Sequence, residues 1–309
     1  YADLSEKEKT AEGKHKKALQ MQLNNQFNGK EPVTLRPEAG LWQGYDSPSP
    51  TELHETIGSV FDPRFVVLQM KDGRFNLTGT LKLLETLRGA VMATCPKQPP
   101  PEWVSGHTKE GKPSMMPHLA FVPMAFVGSE HADGRIMGAS LVLPRNISPE
   151  EAGLHLNKIF RDEHGLPKKI RLFDGKWLEC TMEIDIRETP PFNMRARTWT
   201  QPSRVWASIT PVVLDRHFDG SDKWKNAAIV VMDGCERIGL PRPEEVILQP
   251  VSLIEGVPHA REFPCLRRKS DRGRMYHIHA VLIFGQKVRG PVLIGAGRYK
   301  GYGFFRPIA

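Results

Sequence analysis

The order of hydrophobic periodicities between residues 61 and 184 restricts the fold of this chain more than any other feature. Residues 64–70 form a short apolar run that is typical of a buried strand, and a Lys-Asp-Gly turn follows it. The spacing then becomes helical. A helix capped by Asn76 would place five apolar side chains on one face: Leu77, Leu81, Leu84, Leu87 and Val91.

The rest of this region completes a recognisable order of elements. Residues 118–127 and 135–144 indicate two strands joined by a turn. Ser148 and Glu151 have the spacing of a capping box at the start of a helix, and a strand or hairpin is expected within residues 168–184. The order β-α-β-β-α-β predicts a ferredoxin-like unit.

A second, degraded copy of the pattern follows. Strands are expected at 205–214, 244–254 and 275–284, with a helix at 221–239, whereas the second helix is missing or reduced to a basic stretch near residue 287. We therefore predict an α+β protein with tandem ferredoxin-like (RRM-like) domains, at 58–195 and 196–309. Residues 1–57 look like a connecting segment, and because the chain begins with Tyr1 rather than Met we expect it to be a fragment of a longer protein.

Composition sets the class of protein. The chain has no apolar run approaching the roughly 20 residues of a membrane-spanning helix, so a cytoplasmic protein without membrane contact is expected. Its four cysteines are far apart and fit neither a zinc ribbon nor a disulfide framework. We expect buried free thiols and no metal or cofactor.

Positive charge is concentrated near the carboxyl terminus. Residues 261–309 contain eleven Lys and Arg against two Asp and Glu, whereas the rest of the chain holds 32 basic and 33 acidic residues. A basic region of this kind is typical of a surface that binds a polyanion, although surface charge can also serve solubility alone.

Within this basic region, four glycines fall in nine residues, at Gly295, Gly297, Gly301 and Gly303. A dinucleotide-binding fingerprint would need glycine where Lys300 stands, and a Walker loop would need Ser or Thr where Gly301 stands. The remaining interpretation is backbone bared by glycine for the close approach of RNA, with base stacking on three aromatic residues: Tyr299, Tyr302 and Phe304. A tight hairpin is the alternative.

This glycine pattern, followed by two hydrophobic residues, resembles the glycine-rich loop of the RAMP superfamily of CRISPR proteins. Three longer segments, at 104–113, 117–145 and 277–305, resemble the fused five-six subunit of type I-U (I-G) CRISPR systems. In that subunit a Cas-five domain precedes a Cas-six domain that processes repeat RNA. The resemblance covers roughly residues 55–309, and it implies an endoribonuclease that does not require metal. It also implies that residues 1–57 are the tail of an upstream domain plus a linker.

Candidate catalytic residues follow from that chemistry, which needs a base for the 2′-hydroxyl and cations for the phosphorane. His107 lies in a loop after the first helix, where the resemblance places the family's histidine, and Lys112 is close in sequence. His118 is the second candidate, because residues 113–117 can bring it near His107, and His131 is the third. A solvated loop histidine is the alternative for His107.

The predicted RNA contacts comprise a basic loop, a histidine pair on one strand face, and the glycine segment. They are Arg267, Arg268, Lys269, Arg272, Arg274, His277, His279, Arg289, Gly295, Gly297, Arg298, Tyr299, Lys300, Gly301 and Gly303. His277 and His279 are interpreted as facing RNA or as packing in the sheet, and metal binding is a minority option since no third ligand is identifiable.

The expected function is cleavage of precursor CRISPR RNA by 2′-hydroxyl attack, after which the protein stays on the repeat hairpin. Its expected partners are CRISPR RNA and the Cas-seven-like backbone and large subunits of a type I surveillance complex. Three alternatives stay open: a non-catalytic RNA-binding subunit, a metal-dependent nuclease using His277 and His279, and a purely structural subunit.

Overall fold

The computed structural model describes residues 2–27, 56–176, 178–216, 218, 220–268 and 273–308, which fall in two compact units, 1–54 and 55–309. In the smaller unit, α1 (Ala2–Thr10) contacts α2 (Gly13–Phe27). Most of the predicted linker, residues 28–55, lies outside the described residues. Within the described ranges, no helix has the length and apolar character that crossing a membrane requires.

The first half of the larger unit has the predicted ferredoxin-like topology. Its elements are β1 (Phe61–Met70), α3 (Thr80–Thr94), α4 (Glu102–Ser105), β2 (Ala120–Ala125), β3 (Ile136–Pro144), α5 (Pro149–Phe160), β4 (Ile170–Phe173) and β5 (Glu179–Ile184). All neighbouring strands are antiparallel, in the order β2-β3-β1-β5-β4. The short strand β4 is an addition that extends the sheet by a hairpin.

The predicted helix caps are present. The Asn76 side chain accepts a hydrogen bond from the Thr78 amide, although it caps a 3₁₀ turn at Leu77–Gly79 that leads into α3. The Ser148 hydroxyl accepts from the Glu151 amide at the start of α5. The buried face of α3 differs from the prediction at one position, since Leu83 is fully buried and Leu81 only partly.

The second half repeats the topology without its second helix. Its elements are α6 (Arg197–Thr200), β6 (Ser203–Ser208), β7 (Val212–Leu214), α7 (Lys223–Arg237), β8 (Glu245–Gln249), β9 (Tyr276–Val288) and β10 (Phe305–Ile308). β6 pairs with β10 and β9, and β9 also pairs with β7 and β8. The predicted strand at 205–214 is divided at residues 209–211, where the amide of Ile209 donates to Phe304 and the carbonyl of Pro211 accepts from Gly303.

The two halves share one hydrophobic core. One face of the first sheet packs on α3 and α5, as in a single ferredoxin-like domain, but its other face contributes Phe61 and Met124 to a cluster with Trp199, Trp206 and Phe304 of the second half. The Trp199 and Phe304 rings stack with centroids 4.9 Å apart. The halves therefore form a single folded body, whereas the sequence had suggested two separate cores.

Residues 289–304, which we call the glycine segment, occupy the place of the missing helix and press against the first half. The Phe121 amide donates to the Tyr299 carbonyl, which joins this segment to β2. Gly301, at φ +86°, lies so close to α3 that a Cβ would overlap the Leu84 Cδ1 methyl and lie 2.8 Å from Thr80 Cγ2. Both neighbours are fully buried, so they have little room to move.

We predict that Gly301→Ala destabilises the protein more than Gly175→Ala. Gly175 has nearly the same φ, +88°, but open space around its Cβ position, so both variants pay the left-handed backbone cost of about 1–2 kcal/mol. Overpacking should add about 1–3 kcal/mol at Gly301 alone. Urea unfolding of the two variants measures the difference, and equal midpoints would contradict the tight docking of the glycine segment.

Candidate nucleic-acid interface

A stack of two rings joins the first half to the glycine segment. The His118 imidazole lies on the Tyr299 ring with centroids 3.4 Å apart and 24° between the planes. Gly106 packs against the His118 ring, because a Cβ at this position would lie 2.7 Å from His118 Nε2. His107 is the next residue, so the structure brings both predicted catalytic histidines to the edge of the glycine segment.

Local hydrogen bonds fix the tautomers of these two histidines. His107 Nδ1 lies 3.0 Å from the Ser105 carbonyl, and His118 Nδ1 lies 3.2 Å from the Met116 carbonyl. A carbonyl only accepts, so in the neutral form of each ring Nδ1 carries the proton and Nε2 is the nitrogen left to accept one. The His107 ring is exposed, whereas His118 is half-buried.

Burial lowers the pKa of His118 to about 4, and the positive charges of Arg298 and Arg88 act in the same direction. His118 is therefore neutral at neutral pH. A neutral ring can accept a hydrogen bond or stack, but it cannot donate a proton readily to a leaving group.

Arg298 supplies the nearest cation to the stacked rings. Its guanidinium carbon lies 4.6 Å from the Tyr299 ring centroid, and Nη1 donates to the Gly295 carbonyl at 3.3 Å. Its Nε is buried and has no hydrogen-bond partner among the described residues. The half-buried guanidinium places a positive charge beside His118, which favours a phosphate at this edge.

Two further cations of this edge have partners. Arg88 on α3 donates to the Ser105 carbonyl and thereby holds the loop that carries His107, and burial lowers its pKa. Lys300 forms a 2.8 Å ion pair with Glu85 of α3. The sequence analysis did not identify Arg88, since nothing in the helical pattern distinguishes it from a surface arginine.

The predicted basic loop is a hairpin beside the glycine segment. The backbones of Arg267 and Arg274 form an antiparallel β-bridge, and the Met275 amide donates to the Leu266 carbonyl. Both arginine side chains are exposed. The Arg268 amide donates to Gly273, whereas Lys269 and Arg272 lie outside the described residues. At the base of the hairpin, a Cβ on Gly297 would lie 3.0 Å from Leu266 Cδ1.

Three other residues that the sequence predicted for the site lie on the protein surface. Arg289 and Lys112 are exposed, as is His131, which lies in the turn before β3 and apart from the stacked rings in the contacts observed. Lys112 belongs to the same tight loop as His107, where its carbonyl accepts from Thr108 and His107 bridges to Pro113.

The interpretation of the glycines as open backbone needs correction. Gly301 and Gly303 are buried, and the chains that approach them are α3 and the Ile294 backbone rather than a ligand. Tyr302 and Phe304 are also fully buried, so the prediction that they stack bases is wrong. The Tyr302 hydroxyl donates to Pro264 and fixes the hairpin base. Of the three aromatics, only Tyr299 reaches the edge of the segment.

His279 is buried in the protein interior, and His277 is half-buried at the start of β9. The His279 ring is 1% exposed, its Nδ1 lies 3.0 Å from the Ser208 hydroxyl, and Nε2 lies 3.1 Å from the Pro258 carbonyl. His277 Nε2 accepts from the Leu266 amide. Burial lowers the pKa of both to about 4. These contacts favour the sheet-packing interpretation.

The described residues provide no further ligands for a metal ion at His277 and His279, one of the three alternatives from the sequence. Within the described part of the chain, no group of three His, Cys, Asp or Glu side chains could hold an ion. Of the cysteines, Cys95, Cys180 and Cys235 are buried free thiols as expected, but Cys265 is exposed.

Fold and site together define an α+β protein with two ferredoxin-like halves and a basic, histidine-bearing edge between them. Comparison with family models matches residues 64–307 to the CRISPR-associated proteins of the GSU0054 family. The match covers more than half of the chain, which therefore belongs to this family and to the CRISPR defence systems. No curated protein matches the chain.

We predict that His118 titrates near pH 4 in the wild type and that Gly106→Ala raises this value toward 6.5. A Cβ at Gly106 would displace the ring from Tyr299 and expose it, so the burial that disfavours the charged form would be lost. Histidine Cε1–H resonances followed by NMR between pH 3 and 8 report the titration.

Gly111→Ala is the matched control, because Gly111 has a similar φ, +76°, and nothing within 4 Å of its Cβ position. It should leave the His118 titration unchanged. A His118 resonance that titrates near 6.5 in the wild type would show that the observed stack is not the conformation in solution.

Proposed function

We propose that this chain binds CRISPR repeat RNA and cleaves it without metal at the edge where the two halves meet. The observation that carries the proposal is the meeting of His107 and His118, from the first half, with Arg298 and Tyr299, from the glycine segment. Neutral imidazole, guanidinium and an aromatic face are the groups that RNA cleavage by 2′-hydroxyl attack needs.

In the proposed reaction, His107 is the general base because its ring is exposed and its Nδ1 faces the Ser105 carbonyl, which leaves Nε2 as the nitrogen that accepts a proton. Nε2 accepts the proton of the 2′-hydroxyl while the 2′-oxygen bonds to the phosphorus. The bond from phosphorus to the 5′-oxygen then breaks, and the products are a 2′,3′-cyclic phosphate and a 5′-hydroxyl. The departing 5′-oxygen takes its proton from the Lys112 ammonium or from water.

Arg298 and His118 have different parts in this scheme. The positive charge of the Arg298 guanidinium stabilises the charge that accumulates on the phosphorane oxygens. His118 is neutral, so we assign it no proton transfer to the leaving group. It instead positions Tyr299 and can accept one hydrogen bond through Nε2.

At a finer level, we propose that the chain is the Cas-six-like part of a fused five-six subunit in a type I-G system. The family membership and the paired ferredoxin-like halves support this assignment. After cleavage the protein would remain on the repeat hairpin and join the Cas-seven-like backbone and large subunits of a surveillance complex.

We predict that wild-type protein cleaves labelled repeat RNA in chelator and that His107→Ala reduces the rate about 10²- to 10⁴-fold, the usual contribution of a general base. RNA affinity should be unchanged, since one neutral side chain is removed. Single-turnover cleavage and the presence of the cyclic phosphate end are the two measurements.

His164→Ala is the control, because His164 is also an exposed loop histidine but lies in the loop between α5 and β4, beside Glu163. It should cleave at the wild-type rate. Undiminished cleavage by His107→Ala removes this histidine from the mechanism, and the absence of cleavage by the wild type would overturn the nuclease proposal.

A non-catalytic RNA-binding subunit is the second candidate, and the state of His118 favours it. Because His118 is stacked and neutral, only one of the two histidines is placed to move a proton. Binding of RNA by the basic hairpin does not require catalysis, so a non-catalytic subunit would bind RNA through the same surface.

Both candidates predict that the hairpin arginines hold RNA phosphates. Replacing Arg267 and Arg274 with Ala should weaken repeat binding and reduce the dependence of log K on log salt by about 1 per arginine. Titrations at several salt concentrations measure this slope.

Arg171→Ala is the charge-matched control for the single variant Arg267→Ala, because Arg171 is exposed on the outer strand β4 and pairs with Glu179. It should leave the slope unchanged. An equal loss in both variants would mean that net charge alone, rather than the hairpin, accounts for binding.

A further inference from the structure

A small pocket lies where β7 ends, α7 begins and β9 begins, apart from the histidine edge. Its volume is about 190 Å³, and its lining includes Leu214, Arg216, Lys223, Trp224 and Tyr276. Ligand pockets for drug-sized molecules have volumes of about 300–1,000 Å³. This pocket is suited to one planar ring rather than to a large ligand.

Two aromatic rings form the mouth of the pocket and are unusually open to solvent. Trp224 is 44% exposed and Tyr276 is 40% exposed, and their centroids lie 5.8 Å apart in an edge-to-face arrangement. Trp103, Trp199 and Trp206 are buried by comparison. Exposed aromatic surface next to a cavity is typical of a binding site.

The surroundings of these rings are cationic. The Lys223 ammonium lies 5.2 Å from the Trp224 ring centroid. Tyr276 also lines an adjoining cleft with Arg216, Arg268 and Arg274, in which Asp215 is the acidic lining residue. Asp222, the residue before α7, is the other acid beside the pocket among the residues that the structure describes. The cations outnumber the acids, so the occupant should be anionic as well as aromatic.

We propose that this pocket binds one unpaired base of single-stranded RNA. The base stacks on Trp224, and the flanking phosphates contact Arg216 and Arg274. Because Arg274 also belongs to the basic hairpin, the pocket extends the RNA path from that hairpin onto the second half. The inference rests on the proposed RNA binding, but it needs no cleavage.

The experiment compares short RNAs with and without bases. A labelled four-nucleotide RNA and an abasic ribose-phosphate oligomer of the same length are titrated by fluorescence anisotropy into wild type, Trp224→Ala and Trp224→Phe. Trp224→Ala should weaken binding of the base-bearing RNA about 5- to 100-fold, the range for loss of one stacking platform. It should leave the abasic oligomer unaffected, and Trp224→Phe should retain most of the affinity.

Two outcomes of the Trp224→Ala titration overturn the proposal. If Trp224→Ala binds both oligomers as the wild type does, the exposed rings serve another contact, such as a protein subunit. If it weakens both oligomers equally, the effect is one of charge or folding, which urea unfolding of the variant identifies. A wild type that binds with this base dependence but does not cleave repeat RNA would keep the pocket and reject only the nuclease.

Discussion

The close docking of the glycine segment on the first half is the constraint on which the rest of the larger unit depends. A ferredoxin-like half without its second helix leaves one side of its core open. Here the opening is closed by irregular, turn-rich chain, which brings Tyr302 and Phe304 into the shared core. Such a chain can approach a helix this closely only where side chains are absent, and Gly301 provides that condition against Leu84.

This docking also determines the electrostatics of the histidine edge. Tyr299 is held against His118 by the backbone bond to Phe121, so the imidazole loses water on one face and stays neutral. The Arg298 guanidinium is held nearby because it lies on the same tyrosine ring. A neutral histidine next to a fixed cation is thus a consequence of packing, and neither residue would have this character in an isolated half.

The sequence predicted elements better than it predicted surfaces. Periodicity identified both ferredoxin-like patterns and the missing helix, because hydrophobic spacing is local information. Periodicity could not distinguish a glycine that allows a ligand to approach the backbone from one that allows another part of the protein to do so. Both cases require a residue without a Cβ. For the same reason Tyr302 and Tyr299 looked equivalent, although one is buried and the other contacts His118. The pairing of Lys300 with Glu85 depends on tertiary contact and left no signal in the pattern.

The basic residues and the candidate catalytic histidines lie in different parts of the chain. The excess of basic residues belongs to positions 261–309, whereas His107 and His118 belong to the first half. Neither half therefore contains both the groups that attract RNA and the groups that could act on it. Because one hydrophobic core joins the halves, the site is assembled by folding itself rather than by domain closure. Fine adjustment of the edge then depends on the interface residues, above all Gly106, Phe121 and Gly301, none of which needs to touch RNA.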